Sequence, residues 1–152
     1  MTGPRLNWTT LAPKAYKAML DVSAAIADSS LGPVLADLVQ TRVSQLNGCA
    51  FCLDMHVRDL RKHGEDWQRI NSLATWREVD FFTPRERAAL AWAESLTLLS
   101  HGHAERDAEF EALKAQFNDQ EIAELTVGIA QINAWNRLGV GLRRAVAKNV
   151  MP

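Results

Sequence analysis

The sequence predicts an all-α fold, one compact helical domain of seven or eight helices spanning residues 1–152. Three observations predict it. No segment sustains the period-2 alternation of a half-buried strand, and the strong helix formers Ala, Leu, Glu, Gln and Arg dominate. Helix-start and helix-stop residues recur along the chain, with no repeat, low-complexity tract or linker between them. The 152 residues, 47% hydrophobic and 23% charged, suffice to bury one core without staples.

The elements follow in order. "APKAYKAMLDVSAAIA" places Ala15, Ala18, Met19, Val22 and Ile26 at helical spacing. "LGPVLADLVQTRVSQLNG" reads as the next helix, with Pro33 in its first turn and Asn47-Gly48 breaking or bending it. A third helix is expected from about Cys49 to Lys62, with His63-Gly64 as its stop. A short helix over 66–76 comes next. Thr83, Pro84 and Glu86 then form a capping box with Pro at the first helical position. "ERDAEFEALKAQF" is a charged amphipathic helix. The helix after it starts at an Asn118 or Asp119 cap and is apolar nearly all round at its centre, the mark of a buried helix. "GVGLRRAVAKN" is expected to continue or follow it, with "RRAVAK" as a solvated helix face.

Charge and composition exclude some functions. A net charge of −1 gives no basic field for nucleic acid or an anionic membrane. "MTGPRLNWTT" has no secretory h-region, and no apolar run reaches the ~18 residues of a membrane span. The expectation is a cytoplasmic protein without nucleic-acid or membrane partners. In a reducing compartment, two cysteines three apart are redox-active or metal-binding more often than a structural staple.

Those cysteines sit in "NGCAFCLDMH". Cys49, Cys52 and His56, at offsets of three and seven, fall within about 60° of one another on a helix. Asn47-Gly48 is the natural cap, so both thiols fall in a first turn whose free N–H groups and dipole favour an anion. The thiolate is the reactive form, and an ordinary thiol is only about 3% ionised at pH 7. A downward pKa shift of ~2 units, equivalent to ~2.7 kcal/mol, would make it mostly thiolate. A helix N-terminus and an imidazole one turn on are the groups that supply such a shift, and His56 can relay a proton. Two other readings stay open on the residues alone. The cysteines could be small buried hydrophobes. Alternatively Cys49, Cys52 and His56 could bind zinc with a fourth ligand from His63, His101, His103 or Asp37, although no second CxxC or HxxxH pair exists.

"LADLVQTRVSQLNGCAFCLDMHVRDLRKHGED", with "RERAALAWAESLT" and "DQEIAELTVGIAQINAWNRLGVGLR", resembles the alkylhydroperoxidase D-like proteins of the carboxymuconolactone decarboxylase superfamily. It looks closest to the single-domain branch labelled peroxidase-related, with the core motif region at 33–64. The resemblance implies a helical fold assembled as trimers or hexamers. It also implies thiol peroxidase chemistry without haem, flavin or metal, hence no cofactor. Carried across by position, it makes Cys52 the cysteine that attacks the peroxide. Cys49 becomes the resolving partner that meets the reductant, and His56 the proton relay. Asp37 takes the place of a family glutamate, one methylene shorter, and Phe51 stands where the best-known peroxidases have a second histidine. These two departures imply a weaker peroxidase or a different physiological substrate. The implied partners are a hydroperoxide and a dithiol reductant, lipoyl-protein or thioredoxin-like. The decarboxylase branch lacks the CxxC pair, so decarboxylation is not expected. The alternatives are a disulfide reductase or redox sensor of the same fold, or a metal-binding or structural helical oligomer.

Other residues carry blander expectations. Arg42 with Gln45 reads as a solvent or intersubunit salt bridge. His101 and His103 read as a helix end and loop. Asp54 faces another side of its helix. The five tryptophans read as core or interface anchors, and Trp135-Asn136-Arg137 as packing against the cysteine helix or a neighbouring subunit.

Overall fold

The computed structural model describes residues 3–101 and 106–148. Eight α-helices and two 3₁₀ turns make up the regular structure among them, with no strand. The helices are α1 (Trp8–Leu11), α2 (Pro13–Ala27), α3 (Pro33–Asn47), α4 (Ala50–Lys62), α5 (Trp67–Ser72), α6 (Pro84–Thr97), α7 (Asp107–Lys114) and α8 (Asp119–Gly141). The 3₁₀ turns are Leu73–Glu78 and Leu99–His101.

Helix α3 is the centre of the molecule, packed on α4, α6 and α8. Its sequence explains why. Leu35, Val39 and Val43, at i, i+4, i+8, form one stripe that meets Leu125, Ile129 and Ile132 of α8 and both cysteines. Leu38 points to a second cluster with Leu60, Leu73 and Leu90. Each of these fully buried leucines contributes ~2 kcal/mol of apolar transfer free energy. A helix apolar on two sides has to be sandwiched, and that sandwich fixes the position of the site on α3 and α4.

The helix-start signals hold as read. The Thr83 hydroxyl accepts from Glu86 N–H at 3.2 Å and the Glu86 carboxylate accepts from Thr83 N–H at 2.7 Å, a closed capping box. Asn118 and Glu121 make the same pair at the head of α8. His63 caps α4, with Gly64 beyond it in a left-handed conformation.

Three expectations need correction. The expected cap at Asn47-Gly48 is a junction: Gly48, at φ +66°, ends α3 in the left-handed conformation, and Cys49 itself is the N-cap of α4. The short helix over 66–76 is a six-residue α5 running into a 3₁₀ segment, broken by non-helical φ/ψ at Thr75. "RRAVAK" is not helical. Helix α8 stops at Gly141, Arg143 takes φ +55°, and 144–148 have no regular structure. The Arg144 N–H returns to the Gly139 carbonyl at 2.8 Å, closing off the helix end. His103 lies outside the described residues, and His101 ends the second 3₁₀ turn.

Arg42 forms no surface pair. Its Nε donates to Glu94 Oε1 at 2.7 Å within the chain, both side chains being at most 14% exposed, and its Nη1 donates to Gln45 at 3.1 Å. Glu94 also accepts from Trp76 Nε1 at 2.9 Å and from Arg77. Burial alone would raise the Glu94 carboxyl pKa, but the hydrogen bonds from Trp76, Arg77 and Arg42 outweigh it and hold the carboxyl below the usual range.

Candidate active site

Helix α4 begins at the cysteines. The Cys49 sulfur accepts from the Cys52 N–H at 3.4 Å, so a cysteine sulfur occupies the capping position usually given to Ser or Asp. The two cysteines are joined as a disulfide with Cα atoms 5.4 Å apart. Both are buried, at 1% and 4% exposure. The backbone of α8 presses on them at Gly139. A Cβ there would stand 2.8 Å from the Cys49 sulfur and 3.6 Å from the Cys52 sulfur. Only glycine lets the helix come this close.

One turn beyond Cys52 lies His56, also buried. The α3–α4 hairpin turned by Gly48 sets it level with Asp37, and His56 Nδ1 is 3.0 Å from Asp37 Oδ1. A carboxylate only accepts, so Nδ1 carries the proton toward it and Nε2 keeps its lone pair in the neutral ring. Nε2 is buried with no protein partner. His63 Nε2 stands 3.7 Å from the other Asp37 oxygen.

Cys52, His56 and Asp37 open onto one cavity of about 520 Å³, an ordinary size for a small-molecule site. Its apolar wall is Trp8, Tyr16 and Trp135, with Phe51, Leu20 and Leu138 beside them. The first three rings interlock, at centroid distances of 5.4 Å for Trp8–Tyr16, 5.9 Å for Trp8–Trp135 and 6.2 Å for Tyr16–Trp135. Arg144 lies over the Phe51 ring at 3.8 Å and brings a cation to the rim. Cys49 does not line the cavity, so a molecule entering it meets the Cys52 sulfur first.

All four site residues read from the sequence therefore meet in one place. The sequence reading missed the wall. Trp8 and Trp135 are more than packing anchors, since they face the same cavity as Cys52. Asp59 and Arg144 also line it with no site expectation attached, and His63, a candidate zinc ligand in the sequence, lines it too. The i, i+4 pair Asp59–His63 on the face of His56 was a legible signal; Trp8 and Arg144 come from the chain's far ends and gave none. Trp135-Asn136-Arg137 does pack as expected in part. Asn136 Nδ2 donates to Ser44 Oγ at 3.1 Å and its carbonyl accepts from Asn47 Nδ2 at 2.9 Å, tying α8 to the end of α3. Asp54 pairs with Arg58 at 2.9 Å, outside the cavity lining.

With both sulfurs engaged in the disulfide, the zinc set Cys49–Cys52–His56 has no thiolate to offer in this state. A different grouping exists. Asp37, His56 and Asp59 each bring a ligand atom within 4.8 Å of the others.

Comparison with known proteins agrees with this architecture. Residues 13–95 match the carboxymuconolactone decarboxylase family. The uncharacterized protein YdfG of Bacillus subtilis is 38% identical over 95% of this chain and 98% of its own. A solved structure from Agrobacterium tumefaciens superposes with a TM-score of 0.88 at 40% identity, covering 95% of this chain and 99% of that one. That protein, of unknown function, carries a provisional assignment as the antioxidant defence protein AhpD. The debrominase Bmp8 shares the fold alone, at a TM-score of 0.80 and 19% identity over 91% of this chain and 74% of its own. With an AhpD-like helical fold and a family match across the cysteine hairpin, the chain belongs to the carboxymuconolactone decarboxylase family.

Proposed function

We propose that this protein is a thiol peroxidase that reduces hydroperoxides through Cys52 and Cys49. One observation carries the reading. A buried pair of cysteines, close enough to close a disulfide, meets a cavity through Cys52 alone, beside a histidine held by a carboxylate.

The chemistry balances as follows. In the reduced protein His56 Nε2 takes the Cys52 proton, and the N-terminal turn of α4 favours the thiolate. The thiolate attacks the terminal oxygen of ROOH and the O–O bond breaks. Cys52 becomes a sulfenic acid, and ROH leaves with the proton that His56 returns. The Cys49 thiolate attacks the Cys52 sulfur, hydroxide leaves and is protonated to water, and the disulfide closes. An external dithiol, oxidised in turn, restores both thiols. Asp37 stabilises the transient imidazolium and orients the ring. The aromatic wall favours an organic hydroperoxide over hydrogen peroxide, since burying an apolar group there adds binding free energy of ~25 cal/mol per Å².

The test is turnover of hydrogen peroxide and of cumene hydroperoxide by purified protein, with dihydrolipoamide and reduced thioredoxin compared as donors. The expected outcome is a higher kcat/KM for the organic peroxide and loss of turnover in Cys52→Ser. Cys49→Ser should still give one trappable sulfenic acid, on Cys52. Trapping on Cys49 in the Cys52→Ser protein, with none on Cys52 in the other variant, would reverse the two roles. Reduction of a disulfide substrate without any peroxide turnover would mark the protein as a disulfide reductase.

A further inference from the structure

We infer that Arg144 makes the cavity selective for organic hydroperoxides that carry a carboxylate, which the guanidinium holds at the rim while the peroxide meets Cys52. The inference names a substrate class for the peroxidase reading and rests on it. Binding of an apolar carboxylate in the cavity does not.

Among the described residues that line the cavity, Arg144 is the one lysine or arginine. Arg42, Arg58, Arg69, Arg77 and Arg85 each pair with an aspartate or glutamate. Arg144 is exposed and has no carboxylate partner among the described residues. Two contacts hold it. Its backbone N–H closes on the Gly139 carbonyl at 2.8 Å, after the left-handed turn at Arg143, and its guanidinium lies 3.8 Å from the centroid of the Phe51 ring. Stacking covers one face of the planar fork and leaves its N–H edge free, the edge that grips a carboxylate at two points. A fork already held in place loses less freedom when an anion binds.

The cation also stands at the right end of the cavity. Phe51 directly precedes Cys52, and a Cβ on Gly139 would be 3.6 Å from the Cys52 sulfur. The lining carboxylates lie further along. Asp59 is about 12 Å from Phe51 along α4, at 1.5 Å per residue, and is paired with Lys62 at 2.5 Å. Asp37 is hydrogen-bonded to His56 at 3.0 Å. An entering anion therefore meets its uncompensated cation near the reacting sulfur, with the apolar wall of Trp135 and Leu138 beside it. That combination fits an apolar body with a carboxylate at one edge.

The experiment compares para-carboxycumene hydroperoxide with its methyl ester, which keeps the apolar body and removes the charge. The acid-to-ester ratio of kcat/KM should be at least about fivefold higher in the native protein than in Arg144→Gln, with Arg144→Lys between them and Arg144→Glu lowest. The native ratio should fall as salt rises. Any residue at this position supplies the N–H to Gly139, and thermal unfolding checks that the variants fold. A second arm needs no turnover. Para-isopropylbenzoate and its methyl ester are titrated into the disulfide form and followed by tryptophan fluorescence, since Trp8 and Trp135 line the cavity. The preference for the acid should again be lost in Arg144→Gln. A loss shared equally by acid and ester, which leaves the ratio unchanged, would make Arg144 a structural residue and overturn the inference. A native protein that turns over both peroxides with no preference would overturn it too, and leave the peroxidase reading standing. An Arg144-dependent binding preference in a protein that turns over neither peroxide would overturn the peroxidase reading and support the carboxylate grip.

Discussion

With Nδ1 committed to Asp37, His56 has one nitrogen left for chemistry, so what Asp37 does is felt wherever Nε2 acts. Replacing the acid by its amide keeps the shape and removes the charge that favours an imidazolium. Asp37→Asn should slow alkylation of the reduced Cys52 at neutral pH by several-fold, with an unfolding temperature close to native. Asp37→Glu, whose side chain is one methylene longer, should keep most of the native rate. Iodoacetamide kinetics beside thermal melts decide it. Equal alkylation rates in all three proteins would make Asp37 a structural residue only. The 3.0 Å contact also answers a question that the shorter acid raised at the sequence level. Reach depends on how closely α3 and α4 approach, and no spacing rule encodes that distance. The residue types and their positions were legible; the tautomer and the unpartnered Nε2 were not, because both depend on contacts across the hairpin.

The helices divide in the same way. Starts carried by side-chain-to-backbone bonds within four residues, at Thr83 and Asn118, could be read directly. Ends decided by tertiary contact could not. The reversal at Arg143–Arg144 is fixed by a return bond to Gly139 and by Phe51 beneath the guanidinium, both set by three-dimensional packing. Gly139 itself runs against local preference, since glycine inside a helix costs ~1 kcal/mol relative to alanine. Its neighbour explains it: the methyl of Gly139→Ala would overlap the Cys49 sulfur. Overpacking of this kind costs about 1–3 kcal/mol and should exceed the gain in propensity. The variant should melt below the native protein in both redox states and close its disulfide more slowly, as read by melting curves and by thiol counting after a peroxide pulse. A higher melting temperature with unchanged closure would show that the helix can withdraw from the sulfurs at no cost.

At the scale of the molecule, α8 buries one apolar face in the chain's own core and leaves Val127 and Val140 about half exposed. Ile122, Leu125, Ile129 and Ile132 are all buried against its own core. The trimer or hexamer remains what the family resemblance implies. Two half-buried ion clusters link distant elements and tie stability to pH. Glu94 joins α3 to α6, and Glu86 joins Arg69 of α5 to α6. Burial opposes ionisation of Glu86, but hydrogen bonds from Arg69 and Thr83 lower its carboxyl pKa, as in Glu94. A carboxyl depressed in the folded state stabilises above its unfolded value of about 4.5, and that contribution is lost as pH falls through the folded one. Denaturant midpoints should thus be level above about pH 5 and fall below it. Glu94→Gln should cost about 2 kcal/mol at pH 7 and much less at pH 3. An equal cost at both values would mean that the charge on Glu94 is not what stabilises. The cavity, finally, is clasped by the two ends of the fold. The Arg5 N–H donates to Leu142 O at 3.0 Å, its Nη1 donates to Gly141 O at 2.6 Å, and Trp8 follows directly into the aromatic wall. A tag or fusion placed just before Arg5 is therefore expected to disturb the wall through Trp8, three residues on. Rates measured on such a protein should differ from those of the same protein after the tag is cleaved off, more for bulky hydroperoxides than for hydrogen peroxide.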